Sequence, residues 1–331
     1  MRIIPKWINQ DNVSKNLVEN ELVEILTHPP TLITCVILRG NHLDMLTEES
    51  LKKILAAIPS SATTLDLAMN ALGNLTGEAL GSVLAAIPRS VTSLDLAWND
   101  LGKLSWAQLV AVFAAIPDSV TSLNLTHNKL GKLTGAQLAS AFAAIPHSVT
   151  SLTLSGNYFF ELATAELARA LAAIPPLVTS LTLSFNFPGK LCGVELAAIL
   201  AAIPRSVTSL DLSWNFLGKL TKVELTAVLA AIPPSVTSLD LRYNRFETTP
   251  EADLIAIRKA IPPTVVTLYA DFPKKKDLAS PPKHAKDNKL HHMMEPMARR
   301  TTPEITTFRN ASSSDTDPCD AADEDAFEMS L

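Results

Sequence analysis

Hydrophobic and polar residues follow two alternating patterns along this chain. In the first, apolar residues take every second position, as Leu94 and Leu96 do on either side of a polar residue. This period predicts a short strand with one buried face. In the second, apolar residues return every three to four positions, as Leu109, Phe113 and Ile116 do, which predicts a helix with one inward face. The chain is therefore predicted to alternate short strands with helices.

Both patterns recur with a period of 29 residues. An asparagine follows each predicted strand, and each predicted helix ends at a proline, which disfavours helical geometry in the residue before it. A unit of this size cannot bury its own apolar face, so neighbouring units must stack into a continuous core. The asparagines are Asn41, Asn70, Asn99, Asn128, Asn157, Asn186, Asn215 and Asn244, and the prolines are Pro59, Pro88, Pro117, Pro146, Pro175, Pro204, Pro233 and Pro262.

We interpret the repeated asparagines as structural residues. A buried side-chain amide at the end of a strand can hydrogen-bond to backbone groups that no sheet partner reaches, so these asparagines are predicted to form a ladder. The helix starts carry a second signal, a hydroxyl residue followed three positions later by a side chain that can cap in return. These pairs are Ser105 with Gln108, Thr134 with Gln137, and Thr221 with Glu224.

The frame Leu-x-x-Leu-x-Leu-x-x-Asn-x-Leu-Gly with a helical second half resembles the leucine-rich repeat, and its 29-residue length resembles the ribonuclease-inhibitor-like class. The resemblance covers residues 33 to about 271. It implies an α/β horseshoe-shaped solenoid, with a parallel β-sheet on the concave face and α-helices on the convex face. Such repeats are rarely catalytic, so the resemblance also implies a binding protein.

The repeat frame divides the chain into three parts. Residues 1–32 are predicted to be an N-terminal capping half-repeat, because a shift of one period places Leu22 and Leu26 at helix core positions. Residues 33–272 are predicted to form a solenoid of eight asparagine-ladder repeats with a degenerate C-terminal cap. Residues 273–331 lack the period and are predicted to be a disordered tail with a candidate secretion signal at its end.

Composition narrows the function classes. Hydrophobic residues make up 47% of the chain and charged residues 18%, which excludes general disorder. Only 5% are aromatic, which suits a repetitive framework better than a cofactor cavity, and no cofactor is expected. The net charge of −5 gives no electrostatic reason to expect nucleic acid as a partner. No apolar run approaches the ~18 residues of a membrane span, and no signal peptide is visible.

Motifs for catalysis or metal binding are missing from the sequence. It contains no glycine-rich phosphate loop and no nucleophile elbow. Cys35, Cys192 and Cys319 fit neither a zinc spacing nor a disulfide framework, so three reduced thiols are expected. We therefore expect no catalytic site and no metal.

The predicted tail is unevenly charged. Residues 274–309 contain 9 basic and 4 acidic residues, and residues 310–331 contain 7 acidic and no basic residues. Solvation alone is one interpretation of both blocks. The last block also carries Phe327, Met329 and Leu331 and resembles the C-terminal secretion signals of Dot/Icm type IV substrates. The repeated Ala-Ala-Ile-Pro-x-Ser-Val-Thr-Ser-Leu segment likewise resembles the leucine-rich-repeat effectors of Legionella.

Two sets of side chains outside the core are candidate partner contacts. Adjacent strands lie about 4.8 Å apart, so each repeat position becomes a column. An acidic column between the strand leucines contains Asp66, Asp95, Asp211 and Asp240, whose alternative interpretation is solvated charge. Aromatic columns flank the ladder asparagines, and their alternative interpretation is packing of repeat against repeat. Their members are Trp98, His127, Tyr158, Phe185, Phe187, Trp214, Phe216 and Tyr243, with Phe160 in an irregular loop expected to bulge at repeats five and six.

The resemblance and these columns favour a non-enzymatic module, a monomeric effector that binds a eukaryotic host protein through its concave face and aromatic edge. Type IV secretion would place it in the host cytoplasm; without secretion it would lie in the bacterial cytoplasm. One alternative is an adaptor that recruits a host enzyme such as a ubiquitin ligase. Another is a bacterial scaffold or inhibitor that is not secreted.

Overall fold

The computed structural model describes residues 22–24, 26, 27 and 33–272. Within them short strands and helices alternate, as the two hydrophobic periods predict. The strands are β1 Cys35–Ile37, β2 Thr64–Asp66, β3 Ser93–Asp95, β4 Ser122–Asn124, β5 Ser151–Thr153, β6 Ser180–Thr182, β7 Ser209–Asp211, β8 Ser238–Asp240 and β9 Thr267–Tyr269. The helices are α1 Glu48–Ala56, α2 Gly77–Ala85, α3 Trp106–Ala114, α4 Gly135–Ala143, α5 Thr164–Ala172, α6 Gly193–Ala201, α7 Lys222–Ala230 and α8 Glu251–Ala260.

The strands form one parallel sheet in chain order, from β1 to β9. Each residue pairs with its counterpart one period away, so Leu65 lies opposite Leu94 and Leu94 lies opposite Leu123. Within the described ranges β1 pairs only with β2 and β9 only with β8, so the sheet is open at both ends. The predicted α/β repeat fold is confirmed.

The core lies between the sheet and the helices. The strand leucines are buried against one face of each helix, and in the third repeat that face consists of Leu109, Val112 and Phe113. Leu22 and Leu26 are buried in the same core, at the positions that the shifted frame gives them. The capping role of residues 1–32 and the tail of residues 273–331 otherwise lie outside the described residues and stay predictions.

The asparagine ladder runs through the repeats as predicted. In each step the backbone N–H of one ladder asparagine donates to the side-chain Oδ1 of the next, over 2.8 Å between Asn41 and Asn70 and 2.9 Å between Asn128 and Asn157. The Nδ2 group of Asn70 donates to the carbonyls of Leu38 and Leu67 at 2.9 and 3.0 Å. Each amide thus joins neighbouring repeats where the strand pairing stops.

The predicted capping pairs all form. Ser105 and Gln108 make a reciprocal capping box at the start of α3, and the same arrangement starts α4 and α7. A short 3-10 turn that the hydrophobic period does not predict precedes most helices. These turns span Leu43–Met45, Leu72–Asn74, Leu101–Lys103, Leu130–Lys132, Phe159–Glu161, Leu217–Lys219 and Phe246–Thr248.

Repeat six does not form this 3-10 turn. As a result, one residue predicted to contact a partner is buried instead. Phe187 was expected in an exposed aromatic column, but it is only 2% exposed and belongs to the core. Its backbone N–H donates to Asn215 Oδ1 at 2.9 Å, the bond that the core leucine makes in other repeats. Pro188 explains the shift, because a proline disfavours helical backbone in the residue before it and favours an extended one. Phe187 therefore cannot contact a partner.

Repeat five has an unusual turn sequence but forms the regular 3-10 turn, and the irregular turn belongs to repeat six. In regular repeats a glycine packs against the next repeat, and a Cβ added to Gly131 would lie 2.3 Å from the carbonyl oxygen of Tyr158. Repeat five carries Phe160 at this position. Phe160 faces repeat six, which forms no 3-10 turn and so lacks the regular backbone that an added Cβ meets at the other junctions. The loop expected to bulge at repeats five and six is therefore irregular only in repeat six, where it is matched to Phe160.

Candidate functional site

The residue before each ladder asparagine has left-handed backbone. Five of these positions carry an aromatic ring, and we call Trp98, His127, Phe185, Trp214 and Tyr243 the aromatic ridge. Their φ angles lie between 53° and 60°. Glycine, which stands at 40 and 156, adopts this conformation freely, whereas another residue pays roughly 1–2 kcal/mol for it. The backbone alone would therefore favour glycine along the whole ridge.

The first part of the ridge is a run of ring contacts, stacked between Trp98 and His127 and tilted between His127 and Phe185. The rings of Trp98 and His127 lie 4.0 Å apart at an interplanar angle of 25°. The His127 ring then lies flat on Gly156, where an added Cβ would be 2.3 Å from its Cε1 atom. It reaches Phe185 two repeats away, at a ring distance of 6.0 Å. The missing side chain of Gly156 thus lets the run of ring contacts cross repeat five.

The second part of the ridge pairs Trp214 with Tyr243, whose rings lie 4.6 Å apart at 21°. Tyr243 is 52% exposed, Trp98 42% and Phe185 39%. Exposed, rigid aromatic surface of this kind is typical of residues that carry binding energy at protein interfaces. The ridge residues predicted from the sequence therefore do lie together on one accessible surface.

Burial between its neighbours lowers the pKa of His127 below the ordinary value of 6.5. We expect its imidazole to titrate below pH 6.5, as followed by NMR of the ring protons. In the unfolded chain His127 has its ordinary pKa, so as the pH falls it is protonated before His127 of the folded protein. His127 therefore leaves the free energy of unfolding unchanged above pH 6.5 and lowers it as the pH drops below 6.5. The variant Trp98→Gly would expose one face of the His127 ring, so it should raise the midpoint of the His127 titration. A wild-type midpoint at or above 6.5 would contradict the buried stack.

A second row of side chains follows the ladder asparagines. Here Tyr158 and Phe160 meet edge to face at 6.1 Å, and Lys190 Nζ lies 4.4 Å from the Phe160 ring centre. Two repeats further on, Phe216 is covered by Arg245 at 4.3 Å, and the Lys219 ammonium lies 5.6 Å from the same ring. Tyr158, Phe160 and Phe216 thus extend the aromatic surface next to the ridge and add cations to it.

The acidic column forms as predicted, but its first pair of carboxylates is shared with an arginine. Asp66 lies directly opposite Asp95 in the sheet register. Arg39 bridges the two, 3.1 Å from Asp66 and 3.3 Å from Asp95. Burial raises the pKa of Asp95, and the Asp66 carboxylate adds to the rise. One arginine therefore partly neutralises the two carboxylates.

The second pair, Asp211 and Asp240, is also aligned across the sheet, and Arg242 forms a salt bridge with Asp240. Sequence reasoning missed Arg39 and Arg242. Both stand two residues before a ladder asparagine, a column that otherwise holds small residues such as Ala97. The replacement of a small residue by arginine at the two ends of the array is the sequence feature that could have predicted these salt bridges.

The acidic column also has a local structural role. Asp66 and Asp95 each accept a hydrogen bond from the backbone N–H two residues on, over 2.9 and 2.8 Å. Asn124 and Asp211 do the same at 3.0 and 2.8 Å. Aspartate and asparagine favour this turn because their short side chains reach their own backbone. Part of the column is therefore explained without a partner.

The described residues contain no group of three or more His, Cys, Asp or Glu side chains placed to hold a metal ion. No helix in this part of the chain is long and apolar enough to cross a membrane. Cys35 and Cys192 carry free thiols.

Parallel strands, helices and an asparagine ladder repeated every 29 residues define the class, a leucine-rich-repeat type of solenoid. A family model described as Leucine Rich repeat matches residues 88–104. The crystal structure of the leucine-rich repeat-containing protein LegL7 from Legionella pneumophila is 38% identical, with a TM-score of 0.71 over 75% of this chain and 78% of that chain. The chain therefore belongs to the leucine-rich-repeat family and resembles a Legionella protein, as expected.

A structure of the Rad7 and Elc1 complex in yeast also matches, at 15% identity and a TM-score of 0.44 over 76% of this chain and 65% of that chain. No curated protein matches the chain. The leucine-rich-repeat fold is a typical non-enzymatic scaffold for protein interaction, and it suggests a protein as the partner.

Proposed function

We propose that this protein is a non-enzymatic bacterial effector that binds a host protein through the aromatic ridge and the adjoining face of the sheet. The observation that carries the proposal is the ridge itself. Three of its five rings, Trp98, Phe185 and Tyr243, are exposed, none belongs to the core, and all five stand on left-handed backbone where glycine would be free of strain. Large side chains kept at a cost to folding are best explained by contact with a partner.

The proposed delivery route rests on different observations. The acidic last block of the sequence, residues 310–331, resembles type IV secretion signals, and the repeat region is similar to that of a Legionella protein. Neither observation depends on the ridge. Delivery and binding can therefore be tested separately.

We expect the full-length protein to capture a specific protein from eukaryotic cell lysate, identified by mass spectrometry. The double variant Trp214→Ala with Phe216→Ala should lose this protein while melting like the wild type, because both side chains stand outside the core. Trp106→Ala is the matched control. That tryptophan is 48% exposed but lies at the start of helix α3, so its loss should leave capture unchanged.

Equal capture by the wild type and the double variant would show that the ridge is not the binding surface. Delivery is tested by expressing the chain with and without residues 310–331 in a bacterium that carries the type IV system. We expect the deletion to abolish the signal in host cells while capture from lysate persists. An unchanged level in host cells would contradict the proposed secretion signal.

A further inference from the structure

Two equivalent clusters of the array keep two cations but differ in their central residue. In repeats three and four, Asp100 forms salt bridges with Lys129 at 2.7 Å and with Lys103 at 3.1 Å. Burial opposes ionisation of Asp100, but the hydrogen bonds from the two lysines outweigh it and lower the pKa of this carboxyl. The cluster is therefore a carboxylate held between two ammonium groups.

Four repeats further along, the same three positions hold Phe216, Lys219 and Arg245. The two cations are kept, and both still face the central residue, at 4.3 Å for Arg245 and 5.6 Å for Lys219. The central carboxylate is replaced by an aromatic ring. The ring gives the cations a face to lie on but does not neutralise them.

Three carboxylates of repeats seven and eight are engaged away from these two cations. Asp240 pairs with Arg242, and Asp253 pairs with Lys222 at 3.0 Å. Glu224 caps the helix that begins at Lys222. Among the described side chains, none forms a salt bridge with Lys219 or Arg245. The two cations therefore lie at the Phe216 ring, two residues after Trp214, without a salt-bridge partner among the described side chains.

From this difference we propose that the partner is a protein segment with a carboxylate side chain, which it places at the edge of the Phe216 ring, within reach of Lys219 and Arg245. The inference rests on the proposed function, since it names the partner chemistry of the same surface. The partner carboxylate would supply the negative charge that Asp100 supplies internally in the third repeat. Apolar side chains next to it would pack on the Trp214 and Tyr243 rings, which explains why cations and exposed aromatics occur together here.

The internal comparison supplies a sharp test. Phe216→Asp restores the arrangement of the third repeat, so its carboxylate should pair with both cations and exclude an external one. Aspartate also tolerates left-handed backbone better than phenylalanine, so this variant should melt at or above the wild-type temperature. A second variant, Lys219→Gln with Arg245→Gln, removes the charges and keeps the aromatic ring.

The probes are two labelled synthetic peptides, one in which glutamate alternates with leucine and one in which glutamine replaces each glutamate. We expect the full-length wild type to bind the glutamate peptide at least about tenfold more tightly than the glutamine peptide, and added salt to weaken that binding. Phe216→Asp and the double glutamine variant should each lose the preference. Asp100→Asn is the control at the equivalent cluster of the third repeat, and it should leave the preference for the glutamate peptide in place.

Binding of neither peptide, equal binding of both, or an unchanged preference in Phe216→Asp would overturn the acidic-partner proposal. None of these results bears on capture from lysate. A host protein that the wild type captures and the Trp214 and Phe216 double variant loses would then leave the proposed function intact with a different partner chemistry. Failure of that capture with a retained peptide preference would overturn the host-protein proposal alone.

Discussion

Asn128→Ala should lower the free energy of unfolding by several kcal/mol. The side-chain Oδ1 of Asn128 accepts the backbone N–H groups of Asn99 and Leu101 at 3.1 and 3.3 Å. Its Nδ2 group donates to the carbonyls of Leu96 and Thr126 at 2.9 and 3.4 Å. Alanine leaves these groups buried without their partner, and each such group costs about 1–3 kcal/mol. Chemical denaturation followed by circular dichroism measures the loss.

The control is Asn124→Thr in the same repeat. Asn124 belongs to the column in which the next two repeats carry Thr153 and Thr182, so threonine fits the site. Because a threonine hydroxyl can accept the same turn hydrogen bond, although more weakly, this variant should lose about 1 kcal/mol or less, far less than Asn128→Ala. If Asn128→Ala unfolded like the control, the ladder would not stabilise the array.

Two glycine-to-alanine changes should shift stability in opposite directions. Gly131→Ala places a Cβ 2.3 Å from the Tyr158 carbonyl oxygen, and because this contact is to backbone, neighbouring repeats must move apart. We expect it to cost about 1–3 kcal/mol. Gly81 lies inside helix α2, where an added Cβ would be 3.8 Å from its nearest neighbour, Ala115. Gly81→Ala should therefore stabilise the protein by about 0.5–1 kcal/mol.

Thermal melts of the two variants, compared with the wild type, check both signs at once. Alanine is the same addition in each, so side-chain chemistry cancels and only the surroundings of the Cβ differ. A melting temperature that Gly131→Ala leaves unchanged would mean that the turns of adjacent repeats are not in close contact. If Gly81→Ala lowered the melting temperature, helix α2 would be packed more tightly against its neighbours than the structure indicates.

Local periodicity accounts for most of the predictable fold. Strands, helices, ladder and caps depend on residues that contact their own unit or its identical neighbour, so one repeat predicts the others. The 3-10 turns were missed because Leu101 and Leu104 fit an extended loop as well as a turn. Phe187 was misplaced because counting along the chain assumes a constant backbone, and Pro188 changes that backbone.

The candidate site was predictable in part. Column positions follow from the register, so the aromatic ridge and the two aspartate pairs could be located from spacing. Their ion pairs could not, because Arg39 reaches across two repeats to Asp95, and the reach of a long side chain depends on its rotamer. The contact between His127 and Phe185 across Gly156 could not be predicted either, because it depends on the absence of a side chain at position 156.

The matched turns of repeats five and six constrain how this array can change length in evolution. At a regular junction, inserting or deleting one whole unit recreates the same glycine contact and the same ladder step. Between repeats five and six it does not, because the bulky Phe160 would then face a regular 3-10 turn instead of the altered turn of repeat six. This pair is expected to be inherited as a block, and growth or loss of units should occur on either side of it.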